Sequence, residues 1–178
     1  MTKTVFRAAA LVALAIVVSS CQSKTRLQYC PGLSSVLDAS VITQLKPGTG
    51  ANAANAIFTA KITNVDGSCS FDKKGKTADS SVDISFTASR PVAGGEAQYT
   101  IPYFVAVTQG TRIVTREQRS ITFSFPEGAT SVDFSDHISS VELVTDGTAK
   151  PYDYQVLIGF QLTKEQLDYN KSVGIFAQ

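Results

Sequence analysis

The chain is poor in the side chains that most often carry chemistry. Among its 178 residues there is no tryptophan, one methionine at position 1, one histidine at position 137 and three cysteines. Zinc and copper centres draw their ligands from several histidine, cysteine, methionine or carboxylate side chains. A single histidine and the lack of a Cys-x-x-Cys motif argue against such a centre. We therefore expect no metal and no other cofactor.

The lone histidine also limits the case for an enzyme. The neighbours of His137 in sequence include the residue types of a hydrolase, namely Asp133, Asp136, Ser135 and Ser139. Adjacent residues on a strand or turn point in different directions, however, and no Gly-x-Ser-x-Gly elbow marks a nucleophile. We interpret His137 as a turn residue flanked by turn-capping aspartates. We expect the protein not to be an enzyme.

The chain also lacks an extended basic stretch. Its formal net charge is +1, and the only basic run is Lys73-Lys74-Gly75-Lys76. Nucleic-acid-binding domains usually cluster their basic side chains on a broad surface, so we expect no nucleic-acid partner. We expect the lysine run to solvate a loop, with contact to anionic lipid or glycan as the alternative.

No apolar run is long enough to span a membrane. The longest one, Ala8–Val18, has 11 residues, whereas a spanning helix needs roughly 20. Lys3 and Arg7 precede the run and two small serines follow it, which is the layout of a secretory signal peptide. We therefore predict that residues 1–20 are a cleaved signal.

The residues at the end of this run form a motif of their own. Val18-Ser19-Ser20-Cys21 resembles the lipobox of bacterial lipoproteins, an aliphatic-small-small-Cys sequence. The resemblance implies that Cys21 carries a diacylglycerol on its sulfur, becomes the first residue after cleavage and takes a further acyl chain, such as palmitate, on its amine. Several chains at about 0.8 kcal/mol per buried methylene hold a protein on a membrane more firmly than one chain. An uncleaved signal anchor, or a secreted protein with an incidental cysteine, is the alternative.

Residue 22 bears on which membrane receives the protein. In the sorting rule of Gram-negative lipoproteins, Asp after the lipidated Cys favours retention in the inner membrane, and Gln22 is not Asp. The resemblance therefore implies a lipid anchor in the outer membrane, with the protein facing the periplasm. The sequence leaves open whether it faces the cell surface instead. Residues 21–30 would be the lipidated Cys and its tether, and residues 31–178 a single periplasmic domain.

Two cysteines remain once Cys21 is lipidated. Cys30 and Cys69 are an even pair in an oxidising compartment, so we predict a disulfide between them. A redox-active thiol and half of a metal site are the rival interpretations. The lack of a Cys-x-x-Cys motif and the single histidine favour the structural bridge.

Most of the remaining sequence alternates between apolar and polar residues. The clearest apolar series is Tyr154, Val156, Ile158, Phe160 and Leu162. Turn-forming residues separate such stretches at near-regular spacing, which predicts an all-β fold, an antiparallel β-sandwich of about 7–8 strands. A closed barrel is the alternative. Thr163 and Gln166 fit a capping box, which predicts a short C-terminal helix.

Local signals predict several boundaries within this fold. Turns are expected at 64–67 and at 109–111, the second closing a hairpin. Two brief strands are expected near 132–134 and 141–144. Pro102 cannot donate to a ladder of hydrogen bonds, so its strand should have an edge or a bulge there.

By this pattern the domain resembles the immunoglobulin-like and fibronectin type III sandwiches. The resemblance extends over residues 31–178 and rests on strand spacing, not on a sequence motif. It implies a tyrosine corner before a late strand, at Tyr152 or Tyr154.

Two groups of residues are candidates for binding a partner. Arg112, Arg116 and Arg119 form a row of guanidinium groups that can bind carboxylates or phosphates, and Arg112 and Arg116 share a face if their strand is regular. Charges that block unwanted pairing of an edge strand are the alternative. Tyr99 and Tyr103 are candidates for an exposed aromatic patch, with burial in the core as the alternative.

These features together favour a non-enzymatic function. We expect a membrane-anchored periplasmic lipoprotein that binds another envelope protein, as a structural component of an envelope assembly. A glycan- or lipid-binding module of the outer membrane is the alternative. A concave aromatic pocket with convergent polar groups would distinguish that alternative.

Overall fold

The structure, a computed structural model, describes residues 30–49, 52–72, 76–145 and 148–174. The predicted signal, the lipidation at Cys21 and most of the tether lie outside the described residues. Within them the chain forms strands, one α-helix and three short 3-10 turns. The strands are β1 (Gly32–Ser35), β2 (Val41–Leu45), β3 (Ala56–Phe71), β4 (Thr77–Ser89), β5 (Ala97–Gln109), β6 (Arg112–Phe125), β7 (Ser131–Val144) and β8 (Tyr154–Phe160). The helix is α1 (Lys164–Ser172) and the turns are Leu37–Ala39, Ala53–Asn55 and Pro151–Asp153.

The strands form two four-stranded sheets. Sheet 1 has the order β1-β8-β5-β6 and sheet 2 the order β2-β3-β4-β7. Neighbouring strands are antiparallel except β1 and β8, which run parallel. The predicted all-β sandwich with a short C-terminal helix is confirmed, and the closed barrel is wrong because the strands divide into two separate sheets.

Apolar and polar residues alternate along the strands, so each sheet has one apolar face. The two apolar faces pack together and form a common core. In β4 the side chains of Val82, Ile84 and Phe86 are buried, as the pattern predicts. The inward residues of β8 are Tyr154, Val156, Ile158 and Phe160. Phe123 of sheet 1 and Phe134 of sheet 2 stack across the core with ring centroids 4.5 Å apart. Each large apolar side chain contributes roughly 1.5–3 kcal/mol on full burial, so this interleaved layer is the main source of stability.

β3 runs straight through the turn that was expected at 64–67. Between Ile62 and Asn64 the register with β4 shifts, which makes Thr63 the extra residue of a β-bulge. A bulge changes which residues point inward. The strand therefore keeps an inward face on both sides of the bulge and ends only at Phe71.

β7 is a single strand of 14 residues, so the prediction of two brief strands is wrong. His137 lies within it and pairs with Asp83 of β4. The interpretation of His137 as a turn residue is therefore also wrong. The pattern misled because Asp136, a charged residue, occupies an inward position opposite Ile84 and interrupts the apolar series.

Pro102 lies in β5, between β8 and β6. The pairing of β8 with β5 ends at Phe160, which is opposite Tyr103. The carbonyl oxygen of Pro102 accepts a hydrogen bond from the N–H of Gln161 at 3.0 Å. In antiparallel strands the N–H and C=O of one residue face the same neighbouring strand. The N–H that proline lacks would therefore have faced the chain just beyond the end of β8. The predicted local edge at Pro102 is confirmed.

The disulfide between Cys30 and Cys69 is confirmed. The Cα atoms of the two residues are 5.8 Å apart, and 39 positions separate them in sequence. The bridge ties the residue that precedes β1 to β3 of the other sheet. In the chain-entropy model a loop of this length is stabilised by roughly 4 kcal/mol.

At the opposite end, Arg90 holds together two loops that connect one sheet to the other. Its guanidinium donates hydrogen bonds to four backbone carbonyls, those of Gly94, Gly95, Pro126 and Ala129. The same group lies over the ring of Phe125, 4.8 Å from its centroid. We call this end, with the loops 90–96 and 126–130, the far end of the sandwich.

Gly67 has no room for a side chain. A Cβ atom built on it would lie 2.0 Å from the carbonyl oxygen of Ser81 and 3.0 Å from a methyl group of Leu33. The first of these atoms belongs to the backbone of β4, so it cannot move without shifting the strand. Leu33 of β1 thus packs directly on β3 where glycine leaves space.

Gly67→Ala should lower the free energy of unfolding by about 3 kcal/mol, since overpacking here displaces a paired strand. Gly95→Ala is the control, because nothing lies within 4 Å of a Cβ atom at that position. Urea unfolding of both variants measures the difference. Equal midpoints for the two variants would show that β3 and β4 do not pack as described.

Candidate functional site

One side of the sandwich is covered by α1. The helix begins with the predicted capping box, in which Thr163 and Gln166 bond reciprocally. The side chain of Gln166 also donates to the carbonyl oxygen of Thr43, and that of Asn170 to the carbonyl oxygen of Val41 at 2.8 Å. Both acceptors belong to the edge strand β2. The helix therefore satisfies backbone groups that a sheet edge normally exposes.

The opposite side carries two long edges. β6 ends sheet 1 and β7 ends sheet 2, and each strand has 14 residues. Within the described part of the chain, no strand pairs with the outer edge of either one. We call the two edges together the open side.

Charged side chains point inward along the open side. Asp136 of β7 accepts a hydrogen bond of 2.6 Å from the hydroxyl of Tyr103. Arg119 of β6 is the cross-strand partner of Tyr103, and its Nε lies 3.0 Å from a carboxylate oxygen of Glu117. An inward charge on an edge strand opposes pairing with an arbitrary second strand, because pairing would desolvate the charge.

Tyr103 is the most strongly perturbed ionisable group in this region. Burial of the phenol raises its pKa well above the ordinary value, and the hydrogen bond to Asp136 and the negative charge of that carboxylate raise it further. The positive charge of Arg119 acts in the opposite direction and is the smaller effect. The phenol therefore stays protonated at neutral pH and donates to the carboxylate.

The expectation of an exposed patch at Tyr99 and Tyr103 is wrong for Tyr103, whose side chain is completely buried. Tyr99 is half-buried, and its ring centroid lies 4.7 Å from that of Phe58. Both residues occupy inward positions on β5, in phase with the buried Ile101 and Val105. Their alternation with polar neighbours was a signal of the core rather than of a binding surface.

Arg116 is held in place on the outer face of sheet 1. Its guanidinium carbon lies 4.5 Å from the centroid of the Phe104 ring. Its Nη2 donates to the side-chain oxygen of Gln161 at 2.5 Å. The Phe104 ring in turn covers Gly159, where a Cβ atom would lie 2.7 Å from the ring. The cation–π contact and the hydrogen bond together restrict the rotamers of an exposed arginine.

Arg112 and Arg116 do not share a face. The register of β6 with β5 shifts between Val107 and Thr108, so that Val114 is an extra, bulged residue. Arg112 pairs with the inward Gln109, whereas Arg116 pairs with an outward residue of β5. Directly paired residues lie on the same face of a sheet. The bulge therefore breaks the row of guanidinium groups that a regular strand would have formed.

The first half of β6 is exposed on both of its faces. Residues 112–118 are all exposed, and they include the apolar Ile113 and Val114. Arg116 stands in the middle of this segment. This segment of β6 thus combines a backbone edge that no described strand pairs with, two apolar side chains and the oriented guanidinium group of Arg116.

The outer face of sheet 2 has a different character. His137 Nδ1 lies 2.7 Å from a carboxylate oxygen of Asp83, and both side chains are exposed. A shallow depression nearby is lined by Thr63, Ser85, Phe86, Thr87, Asp133, Phe134 and Ser135. Hydroxyl groups dominate its walls, and its two aromatic rings stack on each other, so it is not the aromatic pocket expected of a glycan-binding module. Among the described residues, no group of three His, Cys, Asp or Glu side chains is placed to hold a metal ion.

Sequence reasoning missed the inward positions of Asp136 and Glu117. The signal for Asp136 was available, because it shares the inward phase of Val132, Phe134 and Ile138. A carboxylate in an apolar series marks either a break in the strand or a buried polar contact, and the choice between them required the position of Tyr103.

Comparison of the chain with protein-family models, curated proteins and solved structures finds no match. Among the helices in the described ranges, none has the length and apolar character needed to cross a lipid bilayer.

The raised pKa of Tyr103 predicts a stability that depends on alkaline pH. The folded protein keeps the phenol protonated, whereas the unfolded chain loses this proton above the ordinary pKa of 10.0. The contribution of Tyr103 is therefore complete below pH 10.0 and is lost as the pH rises toward the raised folded value. The difference in unfolding free energy between the wild type and Tyr103→Phe should shrink by about 1.4 kcal/mol for each pH unit above that point.

Urea unfolding of both proteins at neutral and alkaline pH measures this difference. Other titrating groups are common to the two chains and cancel. A difference that stays constant with pH would contradict the hydrogen-bonded, buried state of the Tyr103 hydroxyl.

Proposed function

We propose that the protein is a lipid-anchored periplasmic lipoprotein that binds another envelope protein and serves as a non-enzymatic structural component of an envelope assembly. The proposed binding surface is the open side, centred on residues 112–118 of β6. The observation that carries the proposal is the exposure of this segment on both faces, whereas the edge at β2 on the opposite side is covered by α1.

An exposed edge strand supports binding by strand addition. Backbone N–H and C=O groups of the edge supply the affinity, and alternate side chains supply the selectivity. The inward charges of Glu117 and Arg119 disfavour a partner strand that is uniformly apolar. A partner with side chains that complement this pair would be preferred, which is the usual route to specificity by exclusion.

The restricted side chain of Arg116 favours an acidic partner. A guanidinium group binds a carboxylate through two parallel hydrogen bonds. Because Phe104 and Gln161 already hold Arg116, less conformational entropy is lost on binding than for a free arginine. We therefore expect a carboxylate of the partner to lie over the outer face of sheet 1.

The anchor supports the same function by concentrating the protein at the membrane. Cys21 with its proposed acyl chains would confine this protein to the membrane surface, and a weak contact with a partner in the same membrane then acts at a high effective concentration. A modest interface along a single edge is enough under these conditions.

Site-specific photo-crosslinking in cells tests the proposal. A benzophenone amino acid at Gln118, which is exposed on β6, should crosslink to one envelope protein. The matched control is Glu165, which is exposed on α1 at the covered side. Equal crosslinking from both positions, or from neither, would refute a partner on the open side.

Two substitutions separate the anchor from the binding surface. Arg116→Glu should abolish the crosslink at Gln118 and leave palmitate labelling intact. Cys21→Ala should abolish palmitate labelling. Labelling that persists in Cys21→Ala would contradict the lipid anchor, and a crosslink that persists in Arg116→Glu would contradict the role of Arg116.

A further inference from the structure

The chain enters the sandwich at one defined end. Gly32, the first residue of β1, pairs with Gln155 near the start of β8. Cys30 lies two residues earlier and is bonded to Cys69, close to the end of β3. The end of β7 and the start of β8 lie at this same end. We call it the disulfide end, and it is opposite the far end held by Arg90.

The large apolar side chains exposed at the disulfide end include one from β3, one from β7 and one from the turn before β8. Phe71 at the end of β3 is 39% exposed, Val144 at the end of β7 is 66% exposed and Tyr152 in the turn before β8 is 53% exposed. Phe71 pairs with the buried Ala78 and Val144 pairs with Thr77, so the two residues lie in adjacent rows at the end of sheet 2 and point to opposite faces of it. Exposed apolar residues at one end of a domain can mark a contact with a partner or a membrane. Tyrosine is well suited to the bilayer interface because its ring is apolar and its hydroxyl is polar.

Charged side chains of both signs lie at the same end of the sandwich. Lys76 and Lys150 are exposed beside Asp72 and Asp153. A carboxylate oxygen of Asp72 accepts a hydrogen bond from the backbone N–H of Lys76. A carboxylate oxygen of Asp153 accepts one from the backbone N–H of Lys150. Lys76 and Lys150 are thus matched in number by Asp72 and Asp153. Burial of the apolar side chains would add to any electrostatic attraction to a bilayer.

We propose that the disulfide end rests on the lipid surface, with Phe71, Val144 and Tyr152 in the headgroup region. This inference rests on the proposed lipid anchor at Cys21. The sandwich would then stand on the membrane with the open side facing sideways, where β6 and β7 are accessible to a neighbouring protein.

The length of the chain before Cys30 supports this orientation. Cys21 and Cys30 are nine positions apart in sequence, and a chain of that length spans at most roughly 30 Å when fully extended. β4 has 13 residues and is roughly 40 Å long at the rise of a β-strand. An inverted sandwich standing on its far end would need a longer connection. The remaining choice is between end-on docking and a sandwich lying on its side.

Because the chain contains no tryptophan, a single introduced tryptophan reports on one position. It can therefore distinguish end-on docking from a sandwich that lies on its side. Tyr152→Trp creates a single fluorescent probe at the disulfide end. Val92→Trp creates the matched control at the far end, where Val92 is 74% exposed. Each mature lipoprotein is incorporated into vesicles of phosphatidylethanolamine and phosphatidylglycerol that carry brominated acyl chains, which quench nearby tryptophan.

We expect quenched, blue-shifted emission from Tyr152→Trp and unquenched emission from Val92→Trp. Adding Val144→Ser to Tyr152→Trp should reduce the quenching, because it removes an apolar contact at an exposed position that does not support the core. Quenching of neither probe, or equal quenching of both, would overturn end-on docking.

Flotation of the same vesicles separates this inference from the proposed function. Protein that floats without quenching at Tyr152→Trp is anchored but does not dock, which refutes the inference alone. Protein that fails to float lacks the anchor, which refutes the proposed function and the inference together.

Discussion

Unpaired backbone groups at the edges of the two sheets are the constraint on which this structure depends. A sandwich of two open sheets has four edge strands, and each exposes N–H and C=O groups that can recruit another strand. β1 is limited to four residues, and β2 is covered by side chains of α1. β6 and β7 are long, and no residue in the described ranges pairs with their outer edges. The covered side suits a domain that stays monomeric there, and the uncovered side suits recognition.

Charged side chains occupy inward positions along both edges of the open side. Asp136 on one edge and Glu117 with Arg119 on the other point toward the core, and Tyr103 connects the two sheets through its hydroxyl. Apolar residues at these positions would add burial but would also invite unselective pairing. The bulge at Val114 adds a local twist, which further restricts the strands that can be added. Selectivity and stability therefore compete within a few residues of β6 and β7.

Sequence patterns determined much of the fold but little of the site. The β8 alternation, the hairpin at 109–111, the Thr163 capping box and the disulfide follow from local chemistry that a sequence displays. The bulges at Thr63 and Val114 do not, because each depends on the partner strand, and each reverses the face of every residue beyond it. For this reason Arg112 and Arg116 were placed on one face. Asp136 was set aside as a turn residue because its partner is distant in sequence.

The most direct test of the central claim is amide hydrogen exchange on the protein in its native membranes and after purification in detergent. If a partner occupies the open side, exchange across residues 112–118 is slower in membranes than in detergent, while exchange across α1 is unchanged. The same exchange rate across 112–118 in both conditions would contradict the account, because the exposed edge of β6 would then have no partner.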